Sequence, residues 1–131
     1  MEIFCTYCSW PKLKTKKDLP AIKRYKSRRI KSVSESAKVL RLPFYILSGE
    51  FGLIPEEKPI PYYDHLLILN EIVQLSKTVR SQIEENNINK IIFFINSYFQ
   101  DENIFAYIST LSLACEMAKT ELCIITIEQN D

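Results

Sequence analysis

Short apolar runs alternate along the chain with longer stretches in which apolar residues recur every three or four positions. The short runs predict four β-strands, at residues 2–7, 43–48, 90–96 and 121–127. The last two runs are continuous and rich in β-branched residues. This pattern is typical of strands that are covered on both faces of a parallel sheet.

The longer stretches predict three helices, one in each interval between strands. Their apolar stripes are Ile30, Val33, Ala37 and Leu40 in a first helix over residues 20–40, Ile68, Ile72, Leu75, Val79 and Ile83 in the second, and Ile104, Ile108, Leu111, Cys115 and Ala118 in the third. Pro20 fits the first turn of the first helix, and Pro43 ends that helix. Residues 53–65 contain three prolines and are expected to form one long irregular loop.

The alternating order of strands and helices predicts a single α/β domain over residues 1–131. We expect a three-layer sandwich of Rossmann-like type around a mainly parallel, four-stranded sheet. An apolar fraction of 47% is enough to build the core of a domain of this length.

Charge is distributed unevenly, although the formal net charge is only +1. Ten Lys or Arg residues and one acid lie between Lys12 and Lys31, whereas the rest of the chain holds seven basic and fifteen acidic residues. A basic block on a nearly neutral protein suggests a polyanionic partner, here nucleic acid, with a solvated helix face as the alternative. The expected phosphate contacts are Lys23, Arg24, Lys26, Arg28 and Arg29.

The remaining composition predicts a cytoplasmic protein without a cofactor. No apolar run approaches the roughly 20 residues that a membrane span needs, and the first residues lack the features of a signal peptide. The four cysteines are expected to be free thiols. Cys5 and Cys8 have no second pair at the spacing of a zinc site, so no metal is expected. The roles of these two cysteines and of His65, the only histidine, stay open.

Three polar segments are candidates for one shared site. Residues 8–12 follow the first strand, residues 48–52 follow the second, and residues 61–64 come soon after. Because ligands bind at the carboxyl ends of strands in an open parallel sheet, we expect these segments to meet there. The Ser48-Gly49 turn would then expose backbone N–H groups to a phosphate or carboxylate, unless it is only a tight turn.

Single residues in these segments have competing interpretations. Tyr62 and Tyr63 either stack on a nucleobase or fill the core. Asp64 either accepts a proton or a hydroxyl hydrogen bond from a ligand, or caps the following helix.

Four segments in order resemble a family catalogued as domain of unknown function 6884. They are Cys-Ser-Trp-Pro-Lys from Cys8, Ala-Ile-Lys-Arg-Tyr-Lys-Ser from Ala21, Ile-Leu-Ser-Gly-Glu-Phe-Gly-Leu from Ile46, and Pro-Tyr-Tyr-Asp from Pro61. Shorter parts are similar to the peroxide-stress protein YaaA, which is associated with DNA binding, and to the carboxyl-terminal region of archaeosine synthase, which modifies a tRNA base. The resemblance implies a function in nucleic-acid or nucleobase chemistry and matches Lys12 to the family lysine. Glu50 replaces a lysine that is frequent in the family.

These observations together predict a domain that processes a nucleobase or nucleotide, as a transferase or glycosidase acting by glycosyl or group transfer. Lys12 and Asp64 would act chemically, and the ligand would contact Cys8, Ser9, Tyr25, Ser48, Gly49, Gly52 and Tyr62 or Tyr63. The alternative is a non-catalytic DNA- or RNA-binding module that uses residues 12–31. A third interpretation is a protein-interaction domain whose basic face meets an acidic partner.

Overall fold

The computed structural model describes residues 1–97 and 103–128. The elements are β1 (Glu2–Tyr7), β2 (Leu19–Pro20), α1 (Ala21–Arg24), α2 (Arg28–Val39), β3 (Phe44–Ser48), β4 (Gly52–Pro55), β5 (Pro59–Ile60), a 3₁₀ turn (Leu69–Glu71), α3 (Ile72–Glu85), β6 (Lys90–Asn96), α4 (Ile104–Ala118) and β7 (Glu121–Ile127). None of the helices in these two ranges has both the length and the apolar composition needed to cross a bilayer.

The described strands form a five-stranded main sheet in the order β4-β3-β1-β6-β7 and a small sheet of β2 and β5. Strands β1, β3, β6 and β7 run parallel, whereas β4 pairs antiparallel with β3. The prediction of a mixed α/β fold with a mainly parallel sheet is therefore confirmed. Helix α2 packs on β1 and β3, and helices α3 and α4 pack on each other.

The predicted strand number was wrong because residues 53–65 are not one irregular loop. Gly52 adopts a φ of +77°, which lets the chain fold back so that Gly52 pairs with Ser48 and β4 extends the sheet. A Cβ atom at Gly52 would lie 2.4 Å from Oε1 of Gln82. The same region also contains β5, which pairs with β2.

The first predicted helix is two helices, because the chain is extended between them. Tyr25 has φ −86° and ψ 134°, which interrupts the helix after α1. Ser27 then caps α2 by accepting a hydrogen bond from the N–H of Ile30 at 3.1 Å. The second predicted helix begins later than its apolar stripe suggests, since the 3₁₀ turn comes first and Ile68 is half exposed.

The last strand was predicted to be covered on both faces, which is wrong. Strand β7 lies at one edge of the main sheet, and both Ile124 and Ile125 are exposed. The continuous apolar run could not reveal this, because an edge strand and a central strand share that pattern. The core is instead concentrated on β1, β3 and β6, where Ile3, Ile46 and Phe93 are fully buried.

Candidate functional site

The carboxyl ends of β1 and β3 lie side by side, so the two segments that follow them are neighbours. Cys8 donates its backbone N–H to the carbonyl of Leu47 at 2.9 Å. The guanidinium of Arg29 fixes this end of β1 by donating to Thr6 Oγ1 and to the carbonyl of Tyr7, both at 2.6 Å. It also lies 3.6 Å from the centre of the Tyr7 ring. Arg29 is therefore a buried anchor of the site.

Lys12 is buried although it carries an ammonium group, with only 6% of its surface exposed. Its position is set by a β-bridge between Lys12 and Tyr25 that holds residues 11–13 against α1. Its Nζ atom donates to the carbonyl of Trp10 at 3.2 Å and lies 4.5 Å from the centre of the Tyr63 ring. The rings of Trp10 and Tyr25 are within 6 Å of the same atom.

No carboxylate in the described ranges forms a salt bridge with this ammonium. Burial lowers the pKa of Lys12, and the nearby Cys8 and Asp64 only partly oppose this effect. A buried cation is costly unless an anion or several hydrogen bonds compensate it. Lys12 thus has unused N–H donors at a place where an anionic ligand would be stabilised.

Three hydroxyl groups form a connected cluster next to Lys12. Tyr25 and Tyr63 share a hydrogen bond of 2.6 Å, and Tyr63 and Ser48 share one of 3.1 Å. Ser48 Oγ also accepts from the backbone N–H groups of Glu50 and Phe51, so its own hydrogen must go to Tyr63. Two contacts use two of the three hydroxyl hydrogens, which leaves one phenolic donor without an acceptor among the described residues. Burial raises the pKa of both tyrosines, which keeps them protonated.

A pocket of about 340 Å³ opens beside this cluster. Its lining residues are Trp10, Pro11, Lys12, Lys14, Lys26, Tyr62 and Asp64. Trp10 is 61% exposed and Tyr62 is 38% exposed, so two aromatic rings stand at the surface of a pocket that Lys12 also lines. The volume lies at the small end of the range for pockets that hold small molecules.

The structure brings some predicted site residues into this pocket and places others beneath it. Lys12, Lys26, Tyr62 and Asp64 line it. Asp64 does not cap a helix, because α3 begins at Ile72.

Most of the other predicted ligand contacts are buried or form hydrogen bonds within the protein. Ser9 Oγ donates to the carbonyl of Pro11 instead of to a ligand, and Tyr25 is almost fully buried, so its ring is not free to stack on a base. The Ser48-Gly49 turn was expected to offer backbone donors to a ligand. Its N–H groups at Glu50 and Phe51 are instead used by Ser48. Gly49 is buried against Leu67, and Gly52 packs against Gln82.

Within the described part of the chain, Cys8 and His65 contact other residues and not each other. Cys8 is buried with its Sγ atom 3.2 Å from the hydroxyl of Tyr107, while His65 contacts two glutamates. Burial raises the pKa of Cys5 well above its ordinary value, and all four cysteines are free. Within residues 1–97 and 103–128 no group of three or more His, Cys, Asp and Glu side chains is placed to hold a metal ion.

Two of the five expected phosphate contacts are wrong. Arg24 is fully buried, where it donates to the carbonyls of Leu13 at 2.7 Å, Lys17 at 2.6 Å and Ile60 at 3.1 Å. Arg29 is buried at the end of β1. Both guanidiniums donate hydrogen bonds to backbone carbonyl groups. Because both are buried, they cannot contact a phosphate backbone. The exposed basic residues of the segment are Lys14, Lys16, Lys17, Lys23, Lys26, Arg28 and Lys31.

Sequence reasoning missed Trp10 and Lys14 as site residues. Trp10 is the only tryptophan of the chain, and it stands between Ser9 and Pro11, directly before the basic stretch that begins at Lys12. An apolar ring in that context is a signal for exposure, because a core tryptophan would normally lie within an apolar run.

No protein-family model matches this chain, and comparison with curated proteins and with solved structures found no match. The family resemblance and the function that it implies therefore stay predictions.

Proposed function

We propose that the pocket beside Lys12 binds a nucleotide, with a phosphate group on the Lys12 ammonium and the base against Trp10 and Tyr62. The observation that carries this proposal is the buried Lys12 ammonium, which forms no salt bridge within the described part of the chain, in a pocket with two exposed aromatic rings. The ligand would supply the missing negative charge.

Charge around the pocket favours an anionic ligand. Among the described residues, Lys14 and Lys26 line it together with Lys12, against one carboxylate, that of Asp64. Three ammonium groups and one carboxylate suit a phosphate with an attached group that carries hydroxyls, because the carboxylate accepts hydrogen bonds from those hydroxyls. This combination is what a nucleoside monophosphate offers.

The exposed rings favour a planar base. Trp10 and Tyr62 can stack on any nucleobase, and such stacking contributes about 1–3 kcal/mol per base. A Rossmann-like, three-layer arrangement would suit this placement, since nucleotides in such folds lie at the carboxyl ends of the strands. The expected reaction class is glycosyl or group transfer in the cytoplasm, with Asp64 taking or giving the proton.

Fluorescence of the single tryptophan tests the proposal directly. We expect AMP, GMP, CMP or UMP to change the Trp10 signal, and adenosine and ribose 5-phosphate to bind more weakly because each lacks one half of the ligand. Lys12→Gln should weaken binding at least tenfold, whereas Lys77→Gln on the exposed face of α3 should leave it unchanged. No response to any nucleotide at millimolar concentration, in fluorescence and in calorimetry, would contradict the proposal.

A second candidate function is nucleic-acid binding without catalysis. It is favoured by seven exposed basic residues within residues 14–31. Such a surface would bind the phosphate backbone with an affinity that falls steeply as salt is raised.

A further inference from the structure

We define residues 61–68 as the strap. No regular secondary structure holds the residues that the strap contributes to the pocket. The strap connects β5 with the 3₁₀ turn and carries Tyr62 and Asp64. Its position depends on three side-chain anchors. Tyr63 hydrogen-bonds with Ser48 and Tyr25, Leu67 is buried against Gly49, and His65 lies between these two residues in the chain.

His65 lies between two carboxylates that belong to different elements. Its Nδ1 atom contacts Glu50, in the turn that follows β3. Its Nε2 atom lies 2.9 Å from the carboxylate of Glu71, in the 3₁₀ turn, and Glu71 also accepts from the backbone N–H of Ile68 at 3.1 Å. A neutral imidazole has one N–H and can donate to only one of the two carboxylates. Only the imidazolium form satisfies both.

We propose that His65 is a pH-sensitive clasp that fastens the strap to the turn after β3 and thereby holds Asp64 at the pocket. Loss of the proton would leave one ring lone pair facing a carboxylate, and that contact would open. The part of this inference that concerns ligand affinity rests on the proposed nucleotide function. The clasp itself does not depend on that function.

The sign of the pH effect follows from the groups around the ring. The charged groups that act on His65 are Glu71 and Glu50, whose hydrogen bonds raise the pKa of the imidazole. Asp64, the preceding residue in the chain, raises the pKa of Lys12 through its charge. The clasp is therefore complete below the ordinary histidine pKa and is lost as pH rises through the raised value. At the acid end, His65 lowers the pKa of Glu71, so the Glu71 contact is lost only as pH falls through that lowered value.

The hydrogen bonds of Tyr63 do not respond to pH in the range where His65 titrates. Burial raises the pKa of Tyr25 and Tyr63, so the hydroxyl cluster stays protonated when His65 titrates. Opening of the clasp would consequently loosen residues 64–66, while the Tyr63 side chain stays attached to Ser48 and Leu67 stays buried against Gly49.

The single histidine and the backbone amides of the strap allow a direct test by NMR. In the wild-type protein we expect the C2 proton of His65 to titrate above its ordinary pKa, and the amides of Asp64 and Leu66 to shift with the same midpoint. In the double variant Glu50→Gln with Glu71→Gln, the midpoint should fall by roughly one unit because both carboxylates are gone. Glu85→Gln, an exposed glutamate on α3, should leave it unchanged.

Two results would overturn the clasp. One is a wild-type midpoint at the ordinary histidine value, and the other is a set of strap amides that do not follow the titration. Both are read from the wild-type protein, so they decide the question even if the double variant does not fold.

Calorimetry with AMP tests the link to the pocket. The affinity of the wild-type protein should fall roughly threefold more than that of the double variant as pH rises through the His65 midpoint. Equal pH profiles for the two proteins would overturn this link. If AMP does not bind at all, the proposed function fails, and the NMR titration still decides the clasp.

Discussion

The Nζ atom of Lys12 lies 4.5 Å from the centre of the Tyr63 ring, although the two residues come from segments that follow different strands. The contact exists because Tyr63 is tied to Ser48 at the end of β3, while Lys12 is held against α1 beyond the end of β1. Two neighbouring parallel strands thus place an ammonium, three hydroxyl groups and several aromatic rings at one edge of the sheet. The proposed nucleotide site depends on this convergence.

Replacing Lys12 separates a binding role from a structural one. In Lys12→Met we expect the free energy of unfolding to change by less than about 1 kcal/mol, because the lost cation–π contacts are offset by the end of an unfavourable charge burial. Nucleotide binding should be lost. Urea denaturation and tryptophan fluorescence on the same sample provide both measurements. A loss of stability above about 2 kcal/mol would mean that Lys12 is mainly a structural residue.

Removal of the hydroxyl group should affect stability at Tyr63 but not at the adjacent Tyr62. Tyr63→Phe removes a hydroxyl that joins Ser48 to Tyr25, so we expect a loss of about 1–2 kcal/mol in stability. Tyr62→Phe keeps an exposed ring and should leave both stability and AMP affinity unchanged, whereas Tyr62→Ala should weaken AMP binding. Thermal unfolding and calorimetry distinguish the three variants. Equal stability of the two phenylalanine variants would contradict the role of the Tyr63 hydroxyl.

Arg24 and Lys23 are neighbours in the sequence but should differ sharply in their effect on folding. Arg24→Met removes hydrogen bonds to four backbone carbonyl groups, of which that of Ile60 is buried, so we expect a loss of at least about 2 kcal/mol. Lys23→Met changes an exposed side chain and should have an effect within about 0.5 kcal/mol. Chemical denaturation measures both variants. Similar values would show that the buried position of Arg24 is not required for folding.

Nucleic-acid binding and nucleotide chemistry can be separated by two variants. If the exposed basic residues bind nucleic acid, Lys23→Glu with Arg28→Glu should abolish binding to a fluorescent oligonucleotide, and wild-type affinity should fall steeply with salt. Asp64→Asn should not affect that binding, whereas it should remove any activity of the pocket on a nucleotide. An oligonucleotide affinity that is insensitive to both salt and the double variant would exclude the binding module.

The sequence pattern could predict which strands form the sheet and which polar segments meet at its edge. Strands β1, β3, β6 and β7 coincide closely with the predicted runs, because apolar content and β-branching are local properties. Strand β4 could not be found in the same way, since it depends on the turn that Gly52 allows and on pairing with β3.

The details of the site depend on contacts between distant residues. Arg24 and Arg29 belong to the same basic run as Lys23 and Lys26, yet they are buried because backbone carbonyls from other segments surround them. The two tyrosines at 62 and 63 are alike in sequence, and contacts with Ser48 and Tyr25 make Tyr63 the partly buried one, whereas Tyr62 is exposed. Such assignments follow from tertiary structure alone.

A crystal structure of the protein with AMP would test the central claim most directly. Our account predicts a phosphate oxygen within hydrogen-bonding distance of Lys12 Nζ and the adenine ring stacked against Trp10 or Tyr62. A structure in which AMP occupies another part of the surface, with the Lys12 ammonium still lacking an anion, would contradict it.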